Sequence, residues 1–128
     1  MSNSTATVSL KVRGNPLPVA ETILAAFQGA TEGTIDIADT TAADTEFVVS
    51  FGSVAAATML LIKNTDAQEI YVKLNGSTTK LGLMPGGVLL IAASALPSAN
   101  TITSAKVCPK ANQSGAGTVS YWLVGDPV

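Results

Sequence analysis

Residues 69–83 read EIYVKLNGSTTKLGL. Ile70, Val72 and Leu74 fall on one face of an extended chain and Tyr71 and Lys73 on the other, the period of two that marks a strand with one face buried. The alternation stops at Asn75-Gly76. Asn-Gly favours the left-handed dihedrals of a type I′ turn, whose twist matches that of paired strands. The stretch therefore predicts a hairpin that joins residues 69–74 to residues 77–83 and sets the character of the chain around it.

Strand signals continue in both directions. Downstream, Pro85-Gly86-Gly87 is a turn and residues 88–93 an apolar strand. Pro97-Ser98-Ala99-Asn100 is a loop. Residues 101–108 and 117–124 are two more strands, separated by the polar loop 109–116. Upstream, residues 58–63 (TMLLIK) are a dense apolar run suited to a central strand covered on both faces, and residues 64–68 are a loop. Residues 46–51 alternate with Phe47, Val49 and Phe51 inward and end at Gly52-Ser53. Residues 34–38 (TIDIA) carry Ile35 and Ile37 on one face, and residues 39–45 are a polar turn region. About eight short strands, with a turn signal roughly every 8–12 residues, indicate an all-β sandwich or barrel. In the last strand the adjacent Tyr121 and Trp122 must face opposite sides of the sheet. One belongs to the core, and the other is available as an interface anchor or a sugar platform.

The front of the chain differs. Residues 5–13 alternate, with Val8, Leu10 and Val12 opposed to Thr7, Ser9, Lys11 and Arg13. Gly14-Asn15-Pro16-Leu17-Pro18 follows, and its two prolines hold the chain extended and deny it ladder donors. Residues 19–27 (VAETILAAF) allow one or two helical turns and, almost equally, a short strand; Gly29 and Gly33 close the region. The natural division is an N-terminal segment, 1–33, and a β domain, 34–128. The segment has two readings: an arm suited to strand exchange, adding a strand to a neighbour's sheet edge, or the first strand of the same sandwich with a proline-marked crossover. In the first, Val8, Leu10, Val12, Pro16, Leu17 and Pro18 are interface residues, and Trp122 joins them from the last strand.

Composition bounds the function. The chain has 128 residues, enough for one domain with a core of its own. Hydrophobic residues make up 47% and charged residues only 12%, seven basic against nine acidic, about half the usual charged share. With 19 Ala, 15 Thr and 11 Ser, the surface is largely neutral. A net charge of −2 with scattered lysines argues against nucleic acid as a partner. No His and one Cys leave no material for a His/Cys zinc site, a Cys–His pair or a Ser–His triad. The polar N-terminus lacks the pattern of a signal peptide, and no apolar run is long enough to span a bilayer. The expectation is synthesis in a cytoplasm, with no membrane partner and no disulfide; Cys108 is read as a small buried strand residue. Residues 1–60 carry −4 and residues 61–128 carry +2, which either favours head-to-tail contacts between copies or is scatter.

The remaining motifs carry little chemistry. Asp36, Asp39 and Asp44 do not follow the ligand spacing of a calcium loop and read as solvated turn acids. Gly86-Gly87 lacks the Lys-Ser/Thr and helix of a phosphate loop. Lys73 and Lys80 flank the hairpin on a solvated face. No catalytic residue, metal ligand or cofactor site is expected.

The strings TMLLIKN (58–64), IYVKLNG (70–76), LMPGGVLL (83–90) and GAGTVSYWLVGDPV (115–128) resemble small all-β virion structural proteins of tailed bacteriophages, over roughly residues 34–128. The resemblance implies an antiparallel, jelly-roll-like β-sandwich of about eight strands over these residues; the extended N-terminal arm is read from residues 1–33 themselves, which carry no such resemblance. The resemblance also implies a non-enzymatic role in the virion. The first expectation is a capsid decoration (cement) protein that binds the major capsid protein lattice, often as a trimer, and stabilises it. A tail, neck or fibre component is the alternative, and a carbohydrate-binding β-sandwich module the third.

Overall fold

The computed structural model describes residues 2–12, 15–27, 29–92 and 102–127; for residues 2–12, 15–27, 92 and 127 it describes the backbone only. Among the described residues there are ten strands and no helix. β1 (Ser2–Val12) and β2 (Asn15–Phe27) form a two-stranded antiparallel sheet. β3 (Gly29–Ile37), β4 (Phe47–Val48), β5 (Val54–Asn64), β6 (Ile70–Leu74), β7 (Leu81–Leu83), β8 (Val88–Ala92), β9 (Ala105–Pro109) and β10 (Gly117–Pro127) form the sandwich. One sheet has the order β3-β10-β5-β8 and the other β4-β9-β6-β7, and every pairing is antiparallel.

These orders obey one rule. β6 pairs with β7, β5 with β8, β4 with β9 and β3 with β10. Strands β3 to β10 form a single long hairpin, doubled back at residues 75–80, whose successive pairs go to alternate sheets. This is the eight-stranded jelly roll. At the fold-back, Asn75 and Gly76 both have positive φ, 53° and 71°, and Ser77 N donates to Leu74 O at 2.9 Å, the closure of a type I′ turn. The ladder does not resume at once: β7 begins only at Leu81, so residues 77–80 are loop where the alternating pattern predicts strand. The turn instead holds the entry to β9. The Asn75 side-chain oxygen accepts from Thr103 N at 2.8 Å, and Asn75 N donates to Ser104 O at 2.9 Å.

The core lies between the sheets. Ile35 and Ile37 of β3, Leu60 and Ile62 of β5, Ile70 and Val72 of β6, Val107 of β9 and Val119, Tyr121 and Leu123 of β10 point into it, all at or below 9% exposure. Tyr121 is thus the inward member of the aromatic pair.

β5 does not alternate regularly, and its partner shows why. Met59 pairs with Val124 but Ala57 with Gly125, so Thr58 is bulged out; a second irregularity lies between Asp126 and Pro127. The bulge brings Ala57 back to the core side after Leu60 and Ile62. It also crowds β10. A Cβ on Gly125 would collide with the Ala56 carbonyl oxygen and lie 2.8 Å from Ala57 Cα, so only glycine fits.

A buried polar knot closes one end of the sandwich. Asn64 is fully buried, and Asp66 and Gln113 are nearly so. Asn64 Nδ2 donates to Gln68 O and Leu83 O, both at 2.8 Å, and its Oδ1 accepts from Asp66 N at 2.9 Å. Gln113 Nε2 donates to both Asp66 oxygens at 3.0 and 2.9 Å. Gln113 N donates to Thr41 O at 2.7 Å. Three loops, which the sequence shows only as polar linkers, are therefore fastened to one another. Asp39 and Asp44, two of the three turn acids, are employed here and nearby: Asp39 Oδ1 accepts from Gly115 N at 2.8 Å, and Asp44 pairs with Lys80.

Several boundaries differ from the sequence expectation. Strand β3 starts at Gly29, so residues 29–33 pair with β10 although they fall within the 1–33 segment. Residues 19–27, open between helix and strand, are strand. β4 is only two residues long where 46–51 alternates. β10 runs on to Pro127. The first part of the 101–108 strand is a single bridge, Ile102 to Ala57, before β9 begins at Ala105. The expected loop at 97–100 lies outside the described residues.

Two glycine substitutions separate backbone strain from collision. Gly76→Ala meets nothing within 4 Å and loses only the preference for positive φ, about 1 kcal/mol. Gly125→Ala must displace the bulge and costs about 3 kcal/mol or more. Urea unfolding of the two variants checks the ranking; equal losses would contradict it.

Candidate functional site

The two sheets turn very different outer faces to the surroundings. In the β4-β9-β6-β7 sheet, Tyr71 lies opposite Cys108 and Lys73 opposite Lys106. Above them the charges pair. Glu46 accepts from Lys73 at 3.3 Å and from Lys106 at 2.8 Å, Asp44 from Lys80 at 3.0 Å, and Glu69 from Lys110 at 2.9 Å. Lys80 Nζ also sits 5.1 Å from the centre of the Tyr71 ring, within cation–π range. The acids of residues 44–46 thus meet lysines of residues 73–106 within one subunit. That pairing accounts for much of the charge difference between the halves of the sequence, without a second copy. Lys73 and Lys80, which flank the hairpin, each bind an acid of the 44–46 segment.

The electrostatics follow from this pairing. Two lysines hold the Glu46 carboxyl below its ordinary 4.5, Lys106 through the stronger hydrogen bond. Asp44 raises Lys80 and Glu69 raises Lys110, in each case chiefly by a hydrogen bond. Cys108 is 1% exposed beneath this layer, and burial pushes its thiol up.

The β3-β10-β5-β8 sheet presents the opposite surface. Its outward rows follow from the register: Glu32, Trp122, Leu61 and Leu90 in one, and Thr34, Ser120, Lys63 and Val88 in the next. A third contains Ala30, Val124 and Met59, the last of them buried. Trp122 is 43% exposed and Val88 50%; Leu61, Leu90 and Val124 are half-buried. Shallow depressions flank Trp122, one lined by Glu32, Thr34 and Ser120, the other by Ala30, Thr31 and Val124. In these three rows Glu32 and Lys63 are the only charged residues.

The expected interface residues separate into two groups. Trp122 stands at the middle of this apolar face. Val8, Leu10, Val12, Pro16, Leu17 and Pro18 lie in the β1–β2 sheet, where Val8 is in register with Glu21 and Val12 with Asn15. Pro18 falls in an irregularity opposite Leu10, the place where a residue without an N–H interrupts a ladder least. The side chains of these six lie outside the described residues. Leu61, Leu90 and Val88 were not among the expected interface residues. Their signal was the failure of TMLLIK and VLLIA to alternate: both faces of these strands are apolar, and only one is covered by the core.

Among the described residues no group of three or more Asp, Glu or Cys is arranged to hold a metal ion. The chain matches no family model, no curated protein and no solved structure.

The charged face sets a pH window. A carboxyl with a lowered pKa stabilises the fold above the unfolded value and loses that effect as pH falls through the folded one. Lysines with raised pKa values stabilise it below about 10.5 and lose the effect as pH rises through the folded value. A raised thiol pKa makes ionisation of the unfolded chain a destabilising term above about 9. Stability is therefore expected to be level from about pH 5 to 9 and to fall on both sides. The Glu46→Gln variant should be less stable than the parent at pH 7 and indistinguishable from it in strong acid. Cys108 should resist a thiol reagent in the native protein and react fully in urea; rapid native labelling would contradict its burial.

Proposed function

We propose that the chain is a non-enzymatic structural protein of a virion, a decoration (cement) subunit that is made in the host cytoplasm and binds the major capsid protein lattice of a tailed bacteriophage. The jelly roll is a frame shared by viral capsid subunits and lectins, so it narrows the choice without making it. The observation that carries the reading is the division of charge between the two outer faces. Charges that pair with one another cover one sheet, and the other shows an apolar face around Trp122. In the three rows around Trp122 only Glu32 and Lys63 are charged, and a face buried on assembly favours few charges, each met by an opposite one, because desolvating a charge without a partner is costly. Repetition on a lattice then turns weak identical contacts into firm attachment.

Quantitative mass spectrometry of purified particles tests this. Hundreds of copies per particle, and loss of heat resistance when the protein is stripped away, are the expected results. A dozen or so copies would overturn it in favour of a neck, tail or fibre component. An exposed tryptophan beside a carboxylate also suits a sugar ring, which favours a carbohydrate-binding module as the second reading. Glycan-array binding that disappears in the Trp122→Ala variant would move the assignment there.

A further inference from the structure

We infer that the apolar face around Trp122 is covered by the same face of a second copy, in a two-fold dimer held in register by reciprocal Glu32–Lys63 pairs. The inference rests on the proposal that this face is buried on assembly, and names what buries it.

Glu32 and Lys63 are both exposed, and neither takes part in the four ion pairs of the opposite sheet. They stand on opposite sides of Trp122: Glu32 on β3 in its own row, Lys63 on β5 one row further along. With strands about 4.8 Å apart and a same-face repeat of about 6.8 Å, their Cα atoms are separated by roughly 12 Å. Two opposite charges so placed make the face self-complementary. Consider a two-fold axis in the plane between two such faces, crossing β10 obliquely midway between Ser120 and Trp122. It sets Glu32 of each copy over Lys63 of the other, brings Trp122 down beside Leu61 and places Leu90 over Val124. Within the three rows, apolar residues meet apolar ones, and Glu32 and Lys63 meet each other. The strands of the two copies then cross steeply, in the orthogonal class of sheet packing. The contact is isologous, as a closed two-fold dimer requires.

A partner of one charge sign would match only one of the two residues. A second copy matches both.

Charge exchange in the full chain tests the inference. Sedimentation equilibrium of the wild-type protein should show a concentration-dependent dimer. Glu32→Lys alone and Lys63→Glu alone place like charges together twice and should weaken it at least about tenfold. The double variant, Glu32→Lys with Lys63→Glu, restores both pairs and should recover the dimer. Urea unfolding of each variant confirms that these exposed substitutions leave the fold intact. A wild-type protein that stays monomeric at about 100 µM, a trimer indifferent to the single exchanges, or a double variant as weak as the singles would each overturn the inference. The two readings fail separately: a monomeric protein still present at hundreds of copies per particle removes the second copy and leaves the decoration role. A charge-rescued dimer at a dozen copies keeps the dimer and removes the decoration role.

Discussion

The left-handed turn at Asn75-Gly76 is the constraint on which the sandwich depends. It doubles the chain back on itself, and the four pairs of strands around it nest in order of increasing sequence separation. Because side chains alternate with a period of two, a slip of one residue in register turns a strand's core residues outward. The register next to the turn therefore has to be right, and Asn75 secures it by also binding Thr103 and Ser104 at the entry to β9. Further out the pairing is corrected locally. The bulge at Thr58 resets the phase of β5 so that Ala57 faces the same core as Leu60 and Ile62. At the other end, side-chain hydrogen bonds of Asn64, Asp66 and Gln113, with the Gln113 N–H to Thr41 O, hold three loops in place of a ladder.

The scarcity of charge takes on a spatial meaning. Seven basic and nine acidic residues are few for a chain of this size, and seven of the sixteen lie in the pairs above Cys108 and beside Tyr71. Exposed ion pairs contribute little to stability one at a time. Their arrangement matters more here than their energy. It pairs the charges on one outer face within the subunit, whereas the three rows around Trp122 on the other carry only Glu32 and Lys63.

Much of the fold is legible in the sequence because it rests on short-range patterns. Alternation, the Asn-Gly turn and the turn spacing give eight strands in nearly the right places. Tyr121 and Trp122 are legible as an inward–outward pair, though which is which is not. What stays hidden is set by partners distant in the chain. Strand order depends on which of many antiparallel pairings wins. The shortness of β4 and β7 depends on how much neighbour each finds. The helix-or-strand ambiguity of residues 19–27 is resolved by β1, whose residues pair with them. The apolar face is half legible: β5 and β8 fail to alternate, but only the sheet order shows which of their sides is left open. Glu32 and Lys63 carry no signal until the register places them on either side of Trp122.

The nested pairing also orders events in time. β10 occupies the interior of its sheet, between β3 and β5, yet it is made after every other strand of the sandwich. A nascent chain that has not reached residue 127 can form the inner hairpins but leaves β3 and β5 with no strand between them. Val119, Tyr121 and Leu123 of the core, and Trp122 at the middle of the outer face, are then missing. Long-range closure of this kind is slow compared with local pairing. The sheet is continuous from β3 to β8 only when β10 is in place, so completion of the last strand and completion of this layer are one event.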